Sequence, residues 1–468
     1  MKKTETILIS IASSAAFRNL FLFPGSFLDY LKQAMRSGDL SVVFVVTKQY
    51  DAKYREFLNQ ALAEVKDYWT IEVIKVPTPR GFLQRFFYFC YSYLIFTGTT
   101  MIMATIGTRP DEPPAGGRGY LSPIKGFISL SLGKSAYVKQ KLVPALFQSI
   151  FKNIRSFAPV FDKYQPVKIF ATHIYGWFDM ILISEAKRRN IKTVGMPAGW
   201  DHLDKYFLPL KVDRLVVQSQ QIKDMAVDYQ GYNPESIEIV GYPHFDFIWK
   251  REFLQPREKI LETLNFPTNA KFILYISGSA YCPDEPEIIE TMIKWADENK
   301  FGTDVRFVIR PYLGGRSKDR EFDEEKFNRF ENNPRVYFYR REFWGDIPKT
   351  EHFLNIINSA DAVISVYSTA VLEAAVLDRP IVAPLFDGYQ IRPFRRSITR
   401  FAKFDHFKSV LETGALRTPK SFKELFADLD KYLRDPAADS DKRRLLRENV
   451  CGPLDGHSSE RVFRALSK

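Results

Sequence analysis

The sequence predicts an α/β chain of two Rossmann-like domains, one following the other. Three observations carry that expectation. Short β-branched runs alternate with amphipathic stretches along most of the length, as in parallel sheets covered by helices. The scheme runs once and begins again near residue 270. A chain of 468 residues with 45% hydrophobic content can also bury two cores without staples.

Residues 5–11 (ETILISI) read as a first strand running into a Ser/Ala loop. Behind Lys2 and Lys3, residues 7–17 also imitate a short signal peptide, but no other secretory feature accompanies them. Residues 27–35 have helical spacing after the Pro24-Gly25-Ser26 turn, with Ser26 as N-cap. The unbroken run 41–47 (SVVFVVT) suits a strand buried on both faces. A helix at 54–65 and a strand at 69–76 follow. Beyond an aromatic insertion come a long helical region at 139–157, a strand at 167–172, a helix at 178–189 and a strand at 192–196. Residues 212–218 are the expected last strand of this half.

The second half gives strands at 271–277, 304–310, 335–339, 361–365 and 380–384. Helices are expected at 285–299, 352–359, 369–377, 421–433 and 459–466. The boundary falls within 245–270, defining domains of 1–245 and 246–468, with the last helix a candidate to cross back.

Charge is unevenly distributed. Residues 1–215 hold 29 Lys/Arg against 16 Asp/Glu, whereas the remainder holds 38 against 39. A basic first half suits a phosphate-bearing substrate or an acidic lipid surface, or is simply a solvated basic face. No zinc finger, KH loop or RRM signature is present, so nucleic acid is not the expected partner. Cys90, Cys282 and Cys451 are odd in number and far apart, which fits neither a disulfide framework nor a metal site and points to a reducing compartment.

Residues 86–107 run for 22 positions without a charge. That is long enough to cross a bilayer, which takes about 20 residues. The stretch is nonetheless rich in Tyr, Thr and Ser and is followed by turn formers, so a buried helix, an interfacial helix and a span are all open readings. With the basic half, it favours an aromatic membrane-associating insertion at about 81–135 and a peripheral position at the cytoplasmic face.

The strongest chemical constellation is 359–384, SADAVISVYSTAVLEAAVLDRPIVAP. A buried strand ends at Ser365, and Ser368 and Thr369 open a helix whose free N–H groups suit a diphosphate. Glu373, one turn on, suits ribose hydroxyls; the alternative is an ordinary N-cap pair and a solvated acid. Ser277, Gly278 and Ser279 end the first strand of that half, and Arg310 ends the second. Three strand ends bearing phosphate-compatible groups on one sheet edge favour a site.

In the first domain, Asp201 and His202 follow one strand and His173 another, each a candidate general base or a structural hydrogen-bonder. Arg18 and Asn19, in the first strand's loop, are candidate contacts to phosphate or acceptor. No Asp-x-Asp pair sits at a strand end, so no metal and no cofactor beyond the nucleotide donor is expected. Charge on a leaving diphosphate would be met by the helix start and arginine.

The pattern ADAVIS-x-x-ST-x-x-x-E, followed by a strand after Arg379-Pro380, resembles GT-B glycosyltransferases. Within them it is most similar to the group of CDP-glycerol glycerophosphotransferases and UDP-N-acetylglucosamine 2-epimerases. VGYPHFD at 240–246 resembles that group's linker motif, and LDGHSSERV at 454–462 its closing helix. The resemblance covers about 190–468 and leaves the first 150 residues largely outside it. It implies two domains facing a cleft. Ser368, Thr369 and Glu373 would hold the donor with help from Arg310, and the first domain would supply base and acceptor site. Two departures stand out. Tyr312 occupies the position where the glycerophosphotransferases carry His after Arg-Pro, and their matching His in the first domain has no obvious counterpart; separately, the loop 199–202 resembles a Trp-Asp-Asn loop with His202 in place of Asn. The expected activity is transfer of a sugar from a nucleotide-sugar donor to a cell-surface glycan or lipid-linked acceptor. CDP-alditol phosphotransfer, UDP-sugar 2-epimerisation and non-catalytic nucleotide binding are the alternatives.

Overall fold

Strand β1 (Glu5–Ile11) is buried from Ile7 onward and lies inside a seven-stranded sheet, which explains the Ile and Leu residues that fill its buried part apart from Ser10. The computed structural model describes residues 4–102, 122–278, 282–312, 321, 325–340, 346–366 and 368–468. The chain divides into two units, the first built from Met1–Thr100, Pro123–Phe247 and Gly452–Lys468, the second mainly from Ile248–Cys451.

The first unit adds β2 (Leu40–Val46), β3 (Trp69–Val73), β4 (Lys168–Ala171), β5 (Lys192–Gly195), β6 (Arg214–Val217) and β7 (Ile237–Ile239). Their order is β3-β2-β1-β4-β5-β6-β7, and every pairing is parallel. The strand order therefore reverses between β1 and β4, and the loops leaving their carboxyl ends diverge there. Residues 212–218 are not the last strand of this half, because Ile237–Ile239 adds one more beside it.

The second unit contains β8 (Lys271–Ile276), β9 (Val305–Arg310), β10 (Val336–Phe338), β11 (Ala362–Ser365), β12 (Ile381–Val382) and β13 (Leu416–Arg417). The order β10-β9-β8-β11-β12-β13 is again all parallel and reverses between β8 and β11. One face packs on helices Glu285–Asp297 and Phe422–Arg434 through a core of Tyr275, Met292, Phe307 and Leu429, all of zero exposure.

Two of the motifs meet within the first unit. The Asp246 carboxylate accepts from the Ser458 and Ser459 N–H groups at 3.1 and 2.9 Å, capping helix Ser458–Ser467. Arg461 reaches back to the Val240 carbonyl at 2.8 Å and pairs with Asp455. Gly241 has φ +88°, and a Cβ there would come within 2.3 Å of Ser458 Oγ. That spacing is thus the stitching of a chain end to its sheet.

Further expected elements differ from the structure, and the helix expected at 54–65 runs over Lys48–Ala61. The helix expected at 139–157 is shorter: Val138–Leu142 runs on in helical backbone into Val143–Ile150, where it stops, and a separate helix, Ala158–Tyr164, begins with Pro159 in its first turn. The uncharged stretch 86–107 is not one helix: Gly81–Ser92 ends, a turn intervenes and Gly98–Met101 follows, while 103–107 lie outside the described residues. No described helix is long and apolar enough to cross a membrane.

Candidate functional site

In the second unit, the polar groups gather where β8 and β11 part. Ser365 ends β11, and its hydroxyl lies 2.8 Å from that of Ser368, which accepts from the Ala370 N–H. Helix Ala370–Val376 then begins after Thr369 and has only seven residues, so side chains dominate this corner. Glu373 is 5% exposed within it. Arg310 closes β9, with its guanidinium 4.8 Å from the Phe353 ring centre, a stacking that holds the fork in one orientation. The Ser277 N–H donates to the Arg310 carbonyl at 3.0 Å, tying the ends of β8 and β9 together.

Ser277 and Gly278 are already engaged. Glu285 accepts from the Ser277 hydroxyl at 2.9 Å and from the Gly278 N–H at 2.8 Å. Lys326 completes the cluster 2.7 Å from the same carboxylate, both side chains being almost wholly buried. A carboxylate thus occupies an anion-binding cradle, and a Cβ on Gly278 would lie 2.5 Å from Cys282 Sγ. Neither Glu285 nor Lys326 was singled out by sequence; the former reads as an ordinary first-turn acid. Ser279 lies outside the described residues.

In the first unit, the β1–β4 switch point gathers titratable side chains. Thr172 and Ser10 bond across the two strands at 2.8 and 3.0 Å. Beneath them Asp179, of zero exposure, accepts from the Ser10 hydroxyl at 3.0 Å and from the His173 N–H at 2.6 Å. Burial outweighs those hydrogen bonds and raises its carboxyl to about 7. Burial, and secondly His202, lower the His173 imidazole to about 3. His173 is therefore neutral at pH 7 and a weak base. Gly176 leaves room for it, since a Cβ would stand 2.6 Å from His173 Nδ1.

His202 sits beside His173 with ring centres 6.5 Å apart, and its Nε2 is 2.8 Å from the Tyr175 hydroxyl. Burial, then Asp201, raise the Tyr175 phenol, which keeps its proton. In the tautomer whose Nε2–H donates to the phenol oxygen, Nδ1 holds the basic lone pair of the imidazole. Tyr206 stacks on Tyr175 at 5.2 Å. Asp201 is ion-paired with Lys205 and lies 3.6 Å from His202 Nε2. Burial alone would lower the Lys205 ammonium, but Asp201 and Asp204 outweigh it and hold its pKa above the ordinary value.

Asn19 and Gln218 pin this loop by donating to the Ala198 and Pro197 carbonyls at 3.0 and 2.6 Å. Thr97 holds its far end at the Asp204 carbonyl, 2.7 Å away. Arg18 is buried next to Asn19 and faces His244, whose imidazole is lowered well below its usual value by burial and then by Arg18. Structure therefore gathers Arg18, Asn19, His173, Asp201 and His202 on one sheet edge. It adds Tyr175, Asp179 and Lys205, while Gly176 and Gly199 make room for His173 and for His202 and Asp201.

Two parallel sheets, each with polar residues at its switch point, define a GT-B-like α/β architecture, and solved structures agree. The chain is similar to a UDP-GlcNAc 2-epimerase from Neisseria meningitidis bound to UDP-GlcNAc, at TM-score 0.53, 12% identity and 99% coverage of both chains. It is also similar to a glycosyltransferase from Rickettsia africae, at TM-score 0.51 and 12% identity over 100% of this chain and 99% of that one. A UDP-GlcNAc 2-epimerase from Methanocaldococcus jannaschii matches at TM-score 0.51 and 14% identity, with 99% of each chain covered. These likenesses establish the fold. More narrowly, residues 327–468 match the family described as CDP-Glycerol:Poly(glycerophosphate) glycerophosphotransferase. No curated protein matches the sequence significantly.

Proposed function

We propose that this chain is a transferase that moves a glycosyl group from a nucleotide-sugar donor to a cell-surface glycan or lipid-linked acceptor at the cytoplasmic face of the membrane. The observation that carries this reading is the division of chemistry between the switch points. Hydroxyls and an oriented guanidinium gather at that of the second unit, and a histidine–tyrosine–carboxylate cluster at that of the first. Arg310, Ser368, Thr369 and Glu373 bind the donor's diphosphate and ribose. Ser277 and Gly278 line this corner through Glu285, and the donor is the only small molecule the chemistry requires.

In the first unit His202 is the best general base. Lys205 already neutralises Asp201, and His173 is too weakly basic to take an acceptor proton efficiently at pH 7. Asp201 then orients the reacting pair, while Arg18 and Asn19 lie on the acceptor side. The membrane part of the reading is supported by exposed Phe82, Leu83 and Phe86 on helix Gly81–Ser92 and by Ile124, Phe127 and Leu130 on helix Ser122–Leu130. The family match over 327–468 favours a second reading, transfer of an alditol phosphate from a CDP-alditol.

Thermal-shift titration with UDP, GDP, CMP and CDP separates these readings, because a ligand stabilises by mass action. A uridine or guanosine diphosphate preference supports glycosyl transfer, and a cytidine preference the alditol reading. No stabilisation at millimolar concentration would remove the nucleotide site altogether. For the base, His202→Ala should abolish turnover with nucleotide binding intact; turnover near wild type would return the role to Asp201, tested as Asp201→Asn.

A further inference from the structure

The segment after β12 has chemistry that donor and acceptor binding leave unused. Residues 388–396 read GYQIRPFRR, and the stretch 386–403 holds Arg392, Arg395, Arg396, Arg400 and Lys403 against a single acid, Asp387. Its base is firmly fastened. Asp387 accepts the Ile398 N–H at 2.8 Å, which closes the loop on itself. Glu287 accepts the Tyr389 N–H at 2.6 Å and the Gln390 amide at 2.7 Å. Arg392 forms a bidentate pair with Asp284, and the Tyr389 hydroxyl lies 3.0 Å from that of Thr291. Gly388, at φ +63°, allows the close approach, since a Cβ would come within 2.5 Å of the Glu287 carboxylate.

Beyond this base the tip stands in solvent. Ile391 is 101% exposed, with Tyr389 and Phe394 exposed beside it. A lone exposed apolar side chain is ordinary. Ile391 and Phe394, three positions apart on a loop pinned at several points, form an exposed pair, whereas the Tyr389 ring packs on Phe422 at 4.4 Å. Arg392 is neutralised by Asp284 and Arg400 is buried, but Arg396 is exposed two residues after Phe394 and Lys403 is exposed at the end of the short helix Ile398–Lys403 that follows. Apolar wedge and cationic flank together match the interfacial layer of an anionic bilayer. There, side chains such as Ile and Phe enter the acyl boundary and guanidinium and ammonium groups meet lipid phosphate.

We infer that residues 388–396 form a membrane-contact loop of the second unit, seating Ile391 and Phe394 in an anionic lipid surface. The inference rests on the membrane part of the proposed function but uses none of the residues that support it there. Co-sedimentation of the full chain with phosphatidylglycerol-containing and with pure phosphatidylcholine vesicles tests it. Ile391→Asp/Phe394→Asp should lower partitioning onto the anionic vesicles about ten-fold, the scale of losing one buried apolar side chain. Arg396→Glu should lower partitioning on the anionic vesicles alone. An unchanged thermal midpoint confirms that the variants fold, as expected for exposed positions. If wild type sediments with neither vesicle, the membrane reading itself fails. If wild type binds and the double variant binds equally well, the loop is overturned while the first-unit patch, tested with Phe82→Asp/Leu83→Asp, stands.

Discussion

The carboxyl edges of the two sheets share a topology and differ in how their polar groups are held. In the second unit, a buried ion pair does the holding: Lys326 and Glu285 lock Ser277 and Gly278 at the end of β8. In the first, beside the Asp201–Lys205 ion pair, hydrogen bonds among groups with shifted protonation do much of the holding, from Ser10 and Thr172 through Asp179 to His173, and between Tyr175 and His202. A rigid edge suits binding a ligand of fixed shape, here at the hydroxyls and guanidinium beside the lock. An edge whose groups titrate away from their usual ranges suits moving a proton. The same strand order thus carries two differently held edges, and that difference underlies the division of roles proposed above.

The largest effect should come from breaking the charge lock. Lys326→Met leaves Glu285 buried without its cation and should cost about 3–5 kcal/mol in urea unfolding. Adding Glu285→Gln should recover most of that loss. Equal destabilisation in the single and double variants would mean that packing, not charge, holds the edge.

Next comes the pH dependence of the first edge. Asp179, raised to about 7, binds its proton more tightly folded than unfolded, so its contribution to stability is lost as pH rises from the ordinary carboxyl range towards 7. His173, lowered to about 3, acts oppositely: it costs stability as pH falls from the ordinary imidazole range towards 3. Asp179→Asn keeps an acceptor for Ser10 and the His173 N–H but removes the first effect. The variant should gain stability relative to wild type as pH rises from 4 to 7, at up to about 1.4 kcal/mol per unit. Parallel curves of thermal midpoint against pH would contradict this assignment.

Two smaller effects separate proton transfer from binding. Tyr175→Phe removes the hydroxyl on His202 Nε2 and should lower kcat about ten-fold, with the donor KM unchanged. A change confined to KM would make Tyr175 a binding residue instead. Ser368→Ala should weaken nucleotide binding by roughly three- to ten-fold, the worth of one hydrogen bond, and leave the pH profile of turnover untouched. Calorimetric titration of the free nucleotide reads the first, and initial rates across pH the second.

Much of the architecture was legible because buried parallel strands declare themselves. The run ETILISI gives β1 at its observed bounds, and SVVFVVT differs from β2 by one residue at each end, since strands covered on both faces have little choice of composition. The three-residue β7 escaped notice because its run is too short to show a period. The helix expected at 139–157 stops at Ile150, and the next, Ala158–Tyr164, starts afresh with Pro159 in its first turn, a start signal that the sequence carries.

Of the site, sequence alone determined where polar groups leave the strands: Ser277, Arg310 and Ser368 on one edge, His173, Asp201 and His202 on the other. Only tertiary structure decided what each then meets. Glu285 takes the donors of Ser277 and Gly278, Lys205 takes Asp201, and Tyr175 reaches His202. Strand ends follow from local hydrophobic pattern, which the chain carries residue by residue. Partnerships, and the burial that moves Asp179 and His173 far from their ordinary pKa values, depend on which loops fold against one another, and that information is not local.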